Sequence, residues 1–408
     1  MRETAKLLIK SLEKNGYEAY FVGGCVRDWL LHRPVHDIDI CTNALPEDIM
    51  RIFPDHIPTG LKHGTITVKM NGGFFEVTTF RTDGMYDDHR RPTEVYYVKS
   101  IVEDLARRDF TINAMAMTQS KEVIDPFFGA NDLNDRLIRA VGNASRRFEE
   151  DALRLVRGVR FAAQLGFRIE EETQKAMQEK SGLLAYIAME RIREECNKII
   201  GSKHPEKAFE ASEVTNLFQA FPLLDRIFGH SWNFLWRLQS LQNLEQKWMF
   251  LMYGATFTAS EIEECCQFLK MSRKEKESIT TLGKLVDQYQ VKWDQPKQLP
   301  WKQLLMNVGY DLCQDLEQLI HAIWFTKQQE IPDKSVTVIY NEMSVQNIKD
   351  LMITGADIVS LRTERPGSWV HETLQHLFQQ AVLYDLKNER NILLVEAERY
   401  LERIDQSK

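Results

Sequence analysis

Six cysteines are scattered over 408 residues without a CxxC pair or regular spacing, which excludes a zinc ribbon and a disulfide framework. Reduced, mostly buried thiols are expected. No apolar run reaches the roughly 18 residues needed to span a bilayer, and the opening MRETAKLLIKSLEKNG has no signal-cleavage pattern. Cytoplasmic residence is the default expectation. Charge of neither sign dominates: 52 Lys+Arg face 59 Asp+Glu, a net of −7, so the chain is no uniformly basic nucleic-acid sheath. Local clustering has to decide that question. No fixed-period repeat or low-complexity tract stands out, which argues against a regular solenoid.

What is present is an ordinary globular composition, 43% hydrophobic and 27% charged. At roughly 150 residues per domain the length suits two to four structural units. Up to about residue 137, β-rich runs (YFVGGCV, DIDIC, GTITVKM, FFEVTTF, EVYYV) alternate with helical stretches, an α+β pattern. From about residue 144 long helix-period segments take over, and the remainder reads as all-helical, with breaks at DQYQVKWDQPKQLPW, EIPDKS and TERPGS. Most tryptophans lie in this part, in amphipathic patterns that mark them as core.

The segment YFVGGCVRDWLLHRPVHDIDICT runs an apolar strand into Gly23-Gly24, then a helix carrying Arg27 and Asp28, then a second strand bearing Asp37 and Asp39. Glycines at a strand-to-helix turn let a phosphate approach backbone amides at a helix N-terminus. Residues two apart on a strand share a face, so Asp37 and Asp39 present two carboxylates together. Such a pair needs cations, and hard oxygen ligands suit Mg²⁺, two of which can activate an attacking hydroxyl and stabilise a leaving phosphate oxygen. A later strand, FFEVTTFR, places Glu76 where it can supply a third carboxylate. The bland alternative is a polar strand edge with solvated acids.

In LARRDFTINAMA, Arg108 suits a triphosphate clamp, and Asp109 and Asn113, one helical turn apart, suit ribose hydroxyls. In RRFEEDALRLVRGVRF, Asp151, Arg154, Arg157 and Arg160 recur at i+3 spacing on one helix face. Residues 136–160 hold seven arginines against three acids, so anions should dock there. Asp151 beside Arg154 also fits a base-reading task. Cytosine and adenine offer an amine donor beside a ring-nitrogen acceptor, whereas uracil and guanine offer the reverse and would leave buried polar groups unpaired, at about 1–3 kcal/mol each.

At these residues the sequence resembles the class II tRNA nucleotidyltransferases, the bacterial CCA-adding enzymes of the polymerase-beta superfamily. GGCVRD…DID, RRDFTINAM, DPFFGANDL and EEDALRLVRGVRF follow the family's order and approximate spacing. ERIREE at 190–195 matches a further motif, and the stretch from ITGADI to NERNILL is similar to the family's tail. The resemblance implies an α+β polymerase-beta-type head (1–137) and then all-α neck with a nucleotide-template helix (138–204), body (205–300) and tail (301–408), the tail binding tRNA. It implies Asp37 and Asp39 as catalytic metal ligands with Glu76 third, Gly24, Arg27 and Arg108 at the triphosphate, and Asp109 and Asn113 around the ribose. Asp151 and Arg154 are implied as the amino-acid template, and Arg157 and Arg160 as arginines that support the phosphates or the helix packing. The implied partners are CTP, ATP and the acceptor and TΨC arms of tRNA, with Mg²⁺ as cofactor and no membrane; a homodimer is left open.

Within the family, CC-only enzymes lack a flexible loop that RTDGMYDDHRRPTEV resembles, with Asp83, Gly84, Tyr86, Arg90, Arg91 and Pro92. Its presence favours the final A step. An A-only enzyme would keep both loop and template. Poly(A) polymerases carry a GRRF-type signature where this chain has TGLKHGTITV. An inactive RNA-binding module on the same fold would tolerate loss of the carboxylates, which are all present here. HETLQH at 371–376 misses the HExxH spacing by one residue and reads as a helix face.

Overall fold

In the computed structural model the described residues are 1–84, 94–230, 232–293, 295, 298–324 and 335–406, with the backbone of 86–87 and 91–92. They form two compact units, one of residues 1–239 with 268–270 and one of 240–267 with 271–408.

The alternating runs of the first unit become strands β1 Ala19–Val22, β2 Asp39–Thr42, β3 His56–Gly60, β4 Thr65–Met70 and β5 Gly73–Thr79. Short strands follow: β6 Arg81–Asp83, β7 Tyr86–Asp87, β8 Arg91–Pro92, β9 Val95–Tyr97, β10 Ala116–Met117 and β11 Val123–Ile124. One seven-stranded sheet has the order β11-β10-β1-β2-β5-β4-β3, while β6 pairs with β9 and β7 with β8. Among the described residues β2 and β5 run parallel and the other neighbours of this sheet antiparallel. A parallel pair cannot close through a tight turn. Here the connection contains a helix and the β3–β4 hairpin.

Helices α1 Arg2–Lys14, α2 Gly24–Leu30 and α3 Pro46–Ile52 belong to this α+β part. α1 buries Leu8, Ile9 and Leu12, and α3 packs on β4 and β5. One face of the sheet is core, with Ile40, Ile66, Val68, Phe75 and Val77 buried; the residues between them, Asp39, Phe74 and Glu76 included, turn to the other face.

The sequence expectation put Asp37 and Asp39 together on a strand. β2 begins only at Asp39, because its partner β1 ends at Val22, opposite Asp39, and then turns into α2. Asp37 sits in the irregular approach to the strand, exposed, with Ile38 buried between the two aspartates.

After α4 Ile101–Ala106 and α5 Gly129–Asn134 come α6 Ala144–Glu150, α7 Leu153–Leu165, α8 Glu171–Lys180 and α9 Met189–Ile200. Phe128, just ahead of α5, is left-handed at φ 59° and 69% exposed. The expected continuous helix through EEDALRLVRGVRF is two helices. Asp151 is extended between them, and its Oδ1 accepts the Leu153 backbone N–H at 3.1 Å, a local bond that competes with helix continuation. Arg154, Arg157 and Arg160 share α7, whereas Asp151 precedes it.

The second unit is helical among its described residues. Trp248, Phe250, Leu282, Leu316 and Ile320 are buried in it, and Trp369, Leu377, Phe378, Leu393 and Ala397 form a further core. HETLQH lies on the helix Ser368–Leu383, where His376 bonds Glu396 at 3.1 Å and stacks on Tyr400. All six cysteines are buried, and none is in a disulfide.

Candidate active site

Gly23 links β1 to α2 with φ 70°, and a Cβ there would come within 2.8 Å of Arg108 Nη1. The positive φ is what requires glycine, since the arginine tip could move aside. The turn aims α2 so that Arg27 forks onto Asp28, at 3.1 and 2.9 Å, and donates from Nη1 to Asn113 Oδ1 at 2.7 Å. Asn113 Nδ2 in turn donates to Asp109 Oδ1 at 3.2 Å, and Arg157 Nε to Asp109 Oδ2 at 2.8 Å. Four sequence-predicted residues thus form one hydrogen-bonded chain, Arg27, Asn113, Asp109 and Arg157. Burial would raise the Asp109 carboxyl, but Arg157 and Asn113 outweigh it and hold it well below the usual carboxylate range.

Arg108 is held from behind. Its Nη2 donates to Asp104 Oδ2 at 3.2 Å, while Arg107 donates to Asp104 Oδ1 at 2.8 and 3.1 Å. Asp104 is fully buried and also accepts the Arg81 backbone N–H at 3.3 Å. Burial opposes its ionisation, yet Arg107 and Arg108 keep its carboxyl below the ordinary value.

Asp39 and Glu76 are directly paired in the parallel β2–β5 register. Burial, then the negative charge of Glu76, with a smaller contribution from Asp37, raise the Asp39 carboxyl, and Arg108 opposes them. Among the described residues no three His, Cys, Asp or Glu side chains are already gathered round one point. Even so, Asp39 with Glu76 beside it in the sheet offers the hard carboxylate oxygens that a divalent cation prefers.

Arg154 donates to the carbonyls of Arg147 and Arg107, each at 2.9 Å, and to Glu150 Oε2 at 2.7 Å. Asp151 lies 3.4 Å from Arg191 Nη2; burial raises its carboxyl, against the pull of Arg191. Arg160 pairs with buried Glu195 at 2.8 Å and covers the Phe161 ring at 4.1 Å. Burial, with Arg157 next to it, pulls the Arg160 guanidinium down to about 10.

These side chains surround one cleft of about 540 Å³, lined by Gly23, Gly24, Asn113, seven arginines and three aspartates, Asp39, Asp109 and Asp151. That excess of cations in a volume of ordinary ligand size makes it an anion site. Glu76 and Asp37 are exposed and outside this lining. At the loop, Asp83 reaches Arg107 at 3.8 Å, and Gly84 N–H donates to the Glu94 carbonyl at 2.9 Å. The β7–β8 backbone pairs Tyr86 with Pro92 and Asp87 with Arg91. Arg90 and the side chains of Tyr86 and Arg91 lie outside the described residues.

Comparison with known proteins agrees along the whole chain. Residues 19–139 match the family description "Poly A polymerase head domain", 166–228 "Probable RNA and SrmB- binding site of polymerase A" and 239–397 "tRNA nucleotidyltransferase domain 2 putative". The CCA-adding enzyme of Bacillus cereus (strain ATCC 10987 / NRS 248) is 36% identical over 398 residues, covering 95% of this chain and 96% of that protein. That of Bacillus mycoides (strain KBAB4) is 36% identical over 392 residues, 95% of each. The chain belongs to the CCA-adding enzyme family. The crystal structure of the Bacillus stearothermophilus CCA-adding enzyme in complex with CTP superposes with a TM-score of 0.85 at 30% identity, covering 100% of this chain and 99% of that one. The polymerase-beta-type head followed by helical regions is therefore the family's architecture, and metal dependence is general within it. Among the described residues no helix is long and apolar enough to cross a membrane.

Within this family member, sequence reasoning attached no role to Asp104, Arg107, Glu150 and Arg191. The first carried a readable signal: Asp104 stands three and four residues before Arg107 and Arg108, the spacing of an intrahelical ion pair. Arg191 lay in ERIREE, a matched motif to which no chemistry had been attached.

Proposed function

We propose that the chain adds C, C and A to the 3′ end of tRNA from CTP and ATP, releasing pyrophosphate. The observation that carries this reading is the single cleft in which seven arginines meet Asp39, Asp109 and Asp151. Arg27 and Arg108 hold the triphosphate, with Gly24 allowing its close approach to the backbone. Asp109 and Asn113 orient the ribose, and Arg157 and Arg160 fix the α7 side of the cleft. Asp151 accepts from the exocyclic amine of cytosine or adenine and Arg154 donates to the neighbouring acceptor, so UTP and GTP meet mismatched groups. The terminal RNA hydroxyl then attacks the α-phosphorus in line, and pyrophosphate leaves on the arginine side. Asp37 and Asp39, with Glu76 third, would hold Mg²⁺, which when bound supplies charge neutralisation and activation of the attacking hydroxyl.

The four segments 1–137, 138–204, 205–300 and 301–408 act as head, neck, body and tail. The helical part grips the acceptor and TΨC arms through phosphate and shape, because a duplex RNA arm shows little of its bases to side chains. Binding is then salt-sensitive and indifferent to the anticodon. The loop at about residues 81–92 shifts the template from C to A, so its deletion spares CC addition and abolishes A addition; equal loss of both refutes that role. A cytoplasmic site of action follows from a tRNA substrate.

The deciding experiment supplies tRNAs truncated before C, before CC and before CCA with each nucleotide and Mg²⁺. Stepwise completion to CCA and then arrest is expected. Addition of A alone, a growing A tail, or no incorporation would each replace the reading with an A-only enzyme, a poly(A) polymerase or an inactive RNA-binding module.

A further inference from the structure

The arginine cleft lies on one side of Asp39 only. Its lining takes Gly23 and Gly24, which follow β1, Arg107, Arg108, Asp109 and Asn113 of the head, and residues of the neck helices, with Asp39 from β2 and none from β5 or β4. Next in the sheet order come β5 and β4, whose same face is exposed at Phe74, Glu76 and Lys69 and buried at Thr67. Its residues are set by register: Asp39 beside Glu76, Glu76 beside Thr67, Phe74 beside Lys69. Phe74 is 63% exposed, with its chain neighbour Phe75 buried in the core behind it. Lys69 is exposed, and its nearest acid is Asp55 at 3.6 Å, a surface pair of little strength. Thr67 is tied to Thr59 at 2.8 Å and Thr65 to Thr78 at 3.0 Å, so this face is polar between Phe74 and the far end of β5, with Glu76 its one carboxylate on β5.

An in-line displacement brings nucleophile and leaving group to opposite sides of the α-phosphorus. With the triphosphate in the arginine cleft, the acceptor has to arrive over β5 and β4. We propose that this face seats the terminal nucleotide of the RNA acceptor, Phe74 stacking on its base and Lys69 meeting the preceding phosphate. The proposal rests on the nucleotidyl-transfer reading above and adds to it the residues that hold the second substrate. An aromatic platform accepts any base, which suits a site that must receive a different terminal nucleotide after every addition.

The experiment is steady-state kinetics of Phe74→Ala, Phe74→Trp and Lys69→Ala on tRNA truncated before CC, varying tRNA and CTP separately, with circular dichroism to check folding. Phe74→Ala should raise KM for tRNA about tenfold or more and leave KM for CTP unchanged, in line with the cost of losing one stacked base. Phe74→Trp should restore the wild-type value. Lys69→Ala should lower the slope of log affinity for tRNA against log salt by about 0.7, one phosphate contact to a single strand. A folded Phe74→Ala variant with wild-type KM for tRNA, or one whose KM for CTP rises equally, overturns the proposal while the transfer reading stands. A wild-type chain that incorporates no nucleotide sinks both.

Discussion

Arg157 on α7 donates from both Nε and Nη2 to a single oxygen, Oδ2, of Asp109. Through this pair the helix that carries Arg154 is tied to the motif that carries Arg108. Because the folded-state pKa of Asp109 is depressed, the pair's stabilisation is complete above the ordinary carboxylate pKa of about 3.9 and is lost as pH falls toward the folded value. Asp109→Asn should cost about 2 kcal/mol at pH 7, below the usual range for a broken buried pair because Arg157 is 34% exposed. In urea unfolding that deficit should stay constant from pH 8 to 5 and shrink below about pH 4. A deficit independent of pH down to 3 would show that the charge pair is not its source.

Asp104 anchors Arg107 and Arg108 together, so Asp104→Asn should weaken CTP and ATP binding equally, without altering the choice between them. Stability should fall by about 3 kcal/mol, the cost of leaving buried guanidiniums without their carboxylate. Nucleotide KM values and a denaturant titration measure both effects. A change in base preference would instead connect Asp104 to the template through the Arg107 carbonyl that Arg154 uses.

Burial raises the Asp151 carboxyl, so it gains a proton earlier on acidification than a solvated aspartate. Once protonated it no longer offers an acceptor-only edge to the amine of cytosine or adenine. Discrimination of CTP against UTP should therefore decline on acidification, before ordinary solvated carboxylates take up their protons. Asp151→Asn should show reduced discrimination at every pH, with no such trend. Parallel pH profiles for the two proteins would remove Asp151 from base reading.

Two adjacent substitutions at the start of α5 should have opposite signs. Phe128 is left-handed, which costs a bulky residue about 1–2 kcal/mol, and its exposed ring recovers little by packing. Phe128→Asn should gain about 0.5–1 kcal/mol, a rise of roughly 1–3 °C in Tm. At Gly129 an added Cβ would fall 2.2 Å from the Thr111 carbonyl oxygen, so Gly129→Ala should lose about 1–3 kcal/mol. Thermal melts of the two variants decide the point.

The readable parts of this site were those whose function forces a residue type at short range. Glycine between strand and helix, arginines at helical spacing and acids at strand spacing all announce themselves within one element. Asp37 was misplaced by two residues, because where β2 starts depends on where β1 ends, a tertiary fact. The helix break at Asp151 escaped because a side chain bonding its own backbone leaves the hydrophobic period intact. Glu195 and Arg191 meet α7 and its approach only after α9 folds back, so nothing local in ERIREE told which of its charges would be buried.

The parallel pairing of β2 with β5 also sets an order of assembly. β5 leaves the ribosome after β2 and reaches it only when the intervening helix and hairpin have formed, a distant closure of the slow kind. Until that closure Asp39 lacks the Glu76 neighbour that the finished sheet gives it.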